Sequence, residues 1–345
     1  MNRRFEQALQ CERSDRVPFL PAIYEHKAWF VGETPSNVCR DAQLLTKALL
    51  AEYERVQPDA LTVGIDVYNV EPEAIGCKVI YYEGNNTSVP AIAPESVLFR
   101  GSEGVASLKM PDPRKDGRMP LNIEAARNIM KVLGKEIPVR AALSGPFSLA
   151  AHLTGLENLF MLVFTRPDLV HELLNFSCEV IKRYGQAFIE LGCGLVIFDS
   201  QSSTELISPI VFREFVLPRT RALIEHFHQQ GVRDVPLIIG GNTTKMLDEY
   251  LETGANNVLC DAKADPKEFL KKCSAARKAF RRNMDSTDFA TISSEDIYRR
   301  TVDCLKESDG YPGFILGTVI LPYGTPMSAL DAVRSAIQDN KHPFN

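Results

Sequence analysis

Four aspartates stand where short apolar runs of the chain give out: Asp66, Asp199, Asp261 and Asp285. Carboxylates that converge in a partly dry cavity raise one another's pKa values or recruit a cation, so such a set suits proton transfer or metal binding. A second group, Tyr24-Glu25-His26-Lys27, puts an imidazole beside a carboxylate and a phenol, a combination able to donate a proton or hold a polar substrate. Asp66, His26, Glu25 and Tyr24 are the candidate catalytic residues. Asp199, Asn242, Cys260, Asp261, Asp285 and Tyr323 are the candidate substrate-binding residues. Each has an ordinary structural alternative: a lone aspartate can cap a helix, Cys260 can fill the core, and Tyr323 can plug the turn Pro322-Tyr323-Gly324-Thr325-Pro326.

What would gather these residues is a rhythm in the chain. Eight apolar runs, at 17–23, 60–66, 138–144, 194–200, 236–242, 257–263, 279–285 and 314–321, each end in a polar or small residue and give way to a helical stretch. Continuous apolar runs read as parallel strands buried on both faces, and eight strand–helix units are what a (β/α)8 TIM barrel requires. Active sites in that fold lie at the C-terminal ends of the strands, where all the candidates fall. Residues 1–16 read as an N-terminal helical extension and 40–57 as a helix with Leu45, Leu49 and Tyr53 on one face. A hairpin of 77–82 and 88–92, followed by an irregular proline-bearing loop at 110–120, forms an insertion after strand two, expected to lie over one end of the barrel. Pro167 and Pro209 suit first helical turns, and Ser293-Ser-Glu-Asp296 resembles a capping box.

At 345 residues the chain is about 100 longer than a minimal barrel, which predicts one domain with insertions. A net charge of −5 gives no electrostatic footprint for nucleic acid. No apolar run reaches about 18 residues and the N-terminus has no apolar signal core, so a cytoplasmic protein that does not span a membrane is expected. The eight cysteines form no CxxC pair, as in a chain of reduced thiols.

The chain resembles the uroporphyrinogen decarboxylase superfamily. The match is carried by Arg16-Val-Pro18, Gly64-Ile-Asp66 through Glu71-Pro-Glu-Ala-Ile-Gly76, Gly145-Pro146-Phe147, Phe198-Asp199-Ser200, Gly241-Asn242, Asn283-Met-Asp285 and Gly324-Thr-Pro326. Porphyrinogen decarboxylases of that superfamily present arginines after strand one to hold many carboxylates. Here the stretch is Tyr24-Glu-His-Lys-Ala-Trp29, without arginine. The thiol-methylating branch binds zinc through a His-x-Cys motif on strand five and a late Cys. Ile238, Gly240 and, near the end, Val319 occupy those positions.

A third branch, the corrinoid-dependent O-demethylases, looks closest. Its resemblance implies a methyltransferase that cleaves small guaiacol- or vanillate-like methyl ethers and passes the methyl group to the cobalt(I) corrinoid of a partner protein. No Asp-x-His-x-x-Gly motif occurs here, so the corrinoid is expected on that separate corrinoid protein. The same branch is associated with a zinc pattern Glu-x14-Glu-x20-His, whose spacing Glu190, Glu205 and His226 reproduce. Barrel geometry speaks against that set as ligands, because Glu190 precedes strand four and Glu205 follows it. Rim acids with His26 or Cys260 are the competing metal site. The alternatives are a methylcorrinoid-dependent transfer to folate or a thiol, uroporphyrinogen decarboxylation, and a non-catalytic corrinoid-protein-binding member.

Overall fold

The apolar runs become strands whose side chains alternate between two cores. In the computed structural model, which describes residues 3–100 and 104–341, the strands are β1 (Phe19–Leu20), β2 (Leu61–Val63), β3 (Val79–Ile80), β4 (Ala91–Ile92), β5 (Val139–Ser144), β6 (Gly194–Phe198), β7 (Leu237–Ile238), β8 (Asn257–Cys260), β9 (Ala279–Met284) and β10 (Phe314–Thr318). β3 and β4 form the antiparallel hairpin, with Val79 opposite Ile92. The other eight strands are parallel and form two arcs of a TIM barrel, ordered β1-β10-β9-β8 and β2-β5-β6-β7.

Side chains stitch the two seams between the arcs. At the β7/β8 seam the buried Tyr250 hydroxyl accepts from the amides of Ile239 (3.1 Å) and Leu259 (3.0 Å) and donates to the Leu237 carbonyl (2.7 Å). At the β1/β2 seam the Asp59 amide donates to the Phe19 carbonyl (2.9 Å), its carboxylate accepts from the Phe19 amide (2.7 Å), and Lys27 Nζ donates to the Thr62 carbonyl (3.0 Å). β1 and β7 each have a backbone ladder on one side only. That explains why they are two residues long where the sequence suggests seven.

Three apolar layers follow from the alternation. The largest lies between the strands and the surrounding helices. Inside the barrel, Leu20, Ala60, Ala279 and Ile315 meet Phe5, Ala8 and Leu9 of the helix Arg4–Leu9, which plugs the N-terminal end. Near the other end, Ala22, Tyr24, Val67, Phe198, Ile238 and Leu259 form a smaller cluster under the mouth.

Two expectations change. The opening helix ends at Leu9 instead of continuing to 16, because Cys11 takes a positive φ of 52° and Asp15 turns back to pair with Arg4. The proline-bearing loop does not cover the mouth: Met110, Pro111 and Pro113 face Glu179, Gln186 and His226 on the outer helices Pro167–Ile189 and Leu217–Gln229. The helix expected at 40–57 runs Ala42–Val56, capped by Asp41, whose carboxylate accepts from the Gln43 and Leu44 amides.

Candidate active site

Residues ending or following every barrel strand but β5 line a cavity of about 110 Å³ at the C-terminal mouth. Period-two alternation selects them. On β9, Arg281 and Asn283 point inward, while Arg282 points out to the helix layer, where its Nε donates to Glu307 (2.9 Å). On β8, Leu259 and the following Asp261 point inward and Cys260 points out.

One wall of the cavity is apolar, formed by Val67, Phe198, Ile238 and Leu259; Tyr24 meets Phe198 edge to face at 5.8 Å. The other wall is polar. Tyr68 donates to Ser200 Oγ at 2.7 Å, and the Gly240 amide donates to the same atom at 3.1 Å. Ser200 Oγ thus accepts twice, which leaves its own hydrogen to donate elsewhere. Burial pushes the Tyr24 phenol up to about 12, so it is a protonated donor at neutral pH. Asp261 accepts from the Gly241 amide (2.8 Å) and from Asn283 Nδ2 (3.0 Å).

Of the sequence-chosen residues, Tyr24 and Asp261 line this cavity. The others do not. Asp66 forms a bidentate ion pair with Arg118, 2.8 Å on each arm, and Arg118 Nε reaches Glu73 (2.5 Å), itself bound by the Tyr81 hydroxyl. Asp66 is therefore held outside the mouth. His26 is fully buried, stacked on Trp29 (5.4 Å) and edge-on to Phe30 (4.7 Å); burial lowers it to about 4, so it is neutral. Glu25 is half-buried, with its carboxyl raised by burial.

Asp199 caps the helix Pro146–Thr154: its Oδ1 accepts from the Ser148 amide at 2.6 Å, and burial raises the carboxyl to about 6. A Cβ at Gly145 would lie 2.2 Å from the Asp199 side chain, which is why that turn carries glycine. Asn242 is exposed and caps Thr244, and Asp285 caps Thr287 and is lowered by those hydrogen bonds. Cys260 corrects the expectation of a mouth-facing thiol, since it is fully buried against the helices and burial raises it. Tyr323 packs half-buried against the outer core.

The spacing-derived zinc set does not assemble. Glu190 follows the helix Pro167–Ile189 at the strand-entry end and pairs with Arg114, Glu205 lies beyond β6 near Gly241, and His226 sits in the outer groove. Among the described residues no group of three His, Cys, Asp or Glu side chains could hold a metal ion. The donor set therefore does not fit a resident zinc.

Two buried arginines escaped the sequence reading. Arg281 lines the cavity, and Arg140 on β5 lies below it with its guanidinium 4.7 Å from the Phe5 ring. Their signal is present in Ala279-Phe-Arg-Arg-Asn-Met284 and Val139-Arg140, where charge interrupts strands buried on both faces. Attention to the strand ends alone misses it. Glu71, an acidic group after strand two that the sequence allows as an acid, base or metal ligand, accepts from the Ser144 amide (2.7 Å) and hydroxyl (3.1 Å), ties the end of β5 to the loop after β2, and is raised by burial to about 7.

A sequence profile described as Uroporphyrinogen decarboxylase (URO-D) matches residues 1–339. The methylated-thiol–coenzyme M methyltransferase of Methanosarcina mazei is 25% identical over 309 residues, covering 88% of this chain and 78% of that protein. A methylcobamide:CoM methyltransferase of Methanosarcina acetivorans is 29% identical, covering 76% of this chain and 77% of its own. A uroporphyrinogen decarboxylase of Neisseria meningitidis is 25% identical, covering 64% and 61%. A solved structure, a methyltransferase from Methanosarcina mazei, superposes with a TM-score of 0.84 at 22% identity over 97% of both chains, a likeness of fold.

Proposed function

Because the chain belongs to the uroporphyrinogen decarboxylase family, we propose that it is a corrinoid-dependent methyltransferase of that family, and that its substrate is a small methoxyaromatic ether. The cavity carries this reading. A void of about 150 Å³ is enough to take up benzene. The mouth cavity, at about 110 Å³, is smaller than that void but opens to solvent, so one ring can enter it with its substituents in the mouth, whereas a tetrapyrrole cannot. Its aromatic walls, Tyr24, Tyr68 and Phe198, offer ring edges and faces to such a ring.

The corrinoid, carried by a partner protein, supplies the nucleophile that accepts the methyl group. As the ether C–O bond breaks, negative charge grows on the aryl oxygen. The Tyr24 hydroxyl and the free hydrogen of Ser200 are the donors this chain can aim at that oxygen. The Tyr68 hydroxyl and the Gly240 amide hold Ser200 Oγ so that its hydrogen faces the cavity. Trp29, on the helix His26–Trp29 after β1, and Leu206 and Ile320, on loops after β6 and β10, are exposed and give the rim an apolar character that suits a corrin face.

The test is incubation with a panel of methoxyarenes and a reduced corrinoid protein, following methyl–cobalt absorbance. Methylation with at least one methoxyarene is expected. Turnover only with methylated corrinoid and a thiol acceptor would replace this reading with the activity that the Methanosarcina relatives' names carry.

A further inference from the structure

Inside the barrel, between the apolar plug at its base and the mouth cavity, sit two guanidinium groups that form no ion pair, Asp261 acting on Arg281 and Glu52 on Arg140 only from beyond contact distance. Arg140 and Arg281 are each 4% exposed. Among the described residues neither has a carboxylate within ion-pair distance. Arg140 Nη2 donates to Thr62 Oγ1 at 2.8 Å, while its Nε and Nη1 have no hydrogen-bond partner. Arg281 Nε has none either. The carboxylate that shares the cavity, Asp261, is occupied by the Gly241 amide and Asn283.

A buried cation normally has a partner, because taking it out of water without one is costly. The barrel also makes room for this one. At Gly317 on β10 an added Cβ would lie 2.8 Å from Arg281 Cδ and 2.8 Å from the Leu20 carbonyl, so the adjacent strand gives up a side chain where the arginine lies. A purely structural arginine would be expected to have hydrogen-bond acceptors around it. Arg281 instead borders the cavity that opens to the mouth.

We propose that Arg281 is the recognition point for an anionic group, a carboxylate or a sulfonate, on the molecule that enters the barrel mouth. Arg140, one layer below, adds positive potential to the same floor. The proposal rests on the reading that the mouth cavity is the substrate site, and it adds that the substrate carries a negative charge at its deep end. The planar fork of a guanidinium matches either oxyanion in two parallel hydrogen bonds. Tyr24 and Ser200 then face the part of the molecule nearer the mouth.

Titration calorimetry on the purified chain, without corrinoid protein, tests this with five probes: methoxybenzene, 3-methoxybenzoate, 3-methoxybenzenesulfonate, and the ring-free anions propionate and ethanesulfonate. The charged rings are expected to bind at least tenfold more tightly than methoxybenzene, with affinity falling as salt is raised. The two anion series tell carboxylate from sulfonate preference. Arg281→Gln should remove the difference between charged and neutral rings, and Arg281→Lys should keep part of it. Arg281→Met should raise the thermal midpoint in the absence of ligand, since it removes an unpaired buried charge, so lost binding is not lost folding. Equal binding of neutral and charged rings, or anion binding that survives Arg281→Gln, overturns the proposal while leaving the methoxyarene reading standing. Binding of the ring-free anions with no ring binding upholds Arg281 and sinks the methoxyarene reading. Binding of no probe at all overturns both.

Discussion

Two buried arginines, Arg118 and Arg281, lead opposite lives. Arg118 is neutralised by two carboxylates: both oxygens of Asp66 lie in ion-pair contact with it, Glu73 takes its Nε, and the Tyr81 ring lies 5.4 Å from its guanidinium. Arg281 is equally buried and forms no ion pair among the described residues, the one carboxylate of its cavity, Asp261, being bound to the Gly241 amide and Asn283. A charge-balanced ion network holds the loop after β2 against the helix Met119–Leu133 and has no net positive charge to offer an anion. A guanidinium outside any ion pair keeps a charge in reserve. Of the two, the one that looks less stable is the better candidate for chemistry.

The largest expected effect tests the charge-balanced side. Asp66→Ala leaves the Arg118 guanidinium buried with half its partners gone, which should cost on the order of 3–5 kcal/mol in denaturant unfolding. If Asp66→Ala instead kept full stability and lost turnover, the two regions would have to exchange roles. Next comes the cavity itself: Ser200→Ala and Tyr24→Phe should each lower kcat by roughly 10- to 100-fold, consistent with the loss of one oxyanion donor. Their unfolding midpoints should stay near that of the unaltered chain, and a drop in midpoint that accounted for the lost rate would remove both from the mechanism.

A smaller effect is expected with pH. Glu71 holds its proton up to about 7 in the fold, against an ordinary value of 4.5. The folded state then binds more protons than the unfolded one, so stability falls as pH rises through that window. His26 and His152, both lowered by burial to about 4 from 6.5, work against it up to about pH 7.5, and Asp199, raised to about 6, adds to it. From pH 6.5 to 7.5 Glu71 by itself lowers stability by about 0.7 kcal/mol, and the two histidines together raise it by about as much, so the chain as a whole should show a nearly flat interval. Glu71→Gln should turn that interval into a rise of about 0.7 kcal/mol with pH, and a slope unchanged by the substitution would refute the assignment. The smallest effect belongs to the spacing pattern. Glu190→Gln and His226→Ala should each change stability by less than about 0.5 kcal/mol and leave turnover and bound metal unaltered, because both are surface groups away from the cavity. A loss of zinc or activity in either would restore the pattern as a site.

The barrel was legible because its signal is repetitive: each of the eight apolar runs contains one of the eight barrel strands, and seven of those runs end in, or lead straight into, residues that line the mouth. The site was legible in position more than in identity. Tyr24 and Asp261 face the cavity as their place after β1 and β8 suggests, yet Asp199 and Asp285 turn away to cap helices, and Cys260 falls on the outward phase of its strand. Aspartates at strand ends have two stable uses, and local sequence does not distinguish a cap from a ligand.

From the residues alone follow the order of strands and helices, the family, and the end of the barrel where chemistry belongs, because periodicity and turn chemistry are local. Which charges are already spent is a different kind of fact. That Asp66 pairs with Arg118, 52 positions away, while Arg281 Nε is left without a hydrogen-bond partner, depends on which side chains the closed barrel brings within a few ångströms of each other. Electrostatic energy is set by such distances and by exclusion of water, and neither exists until the chain has folded.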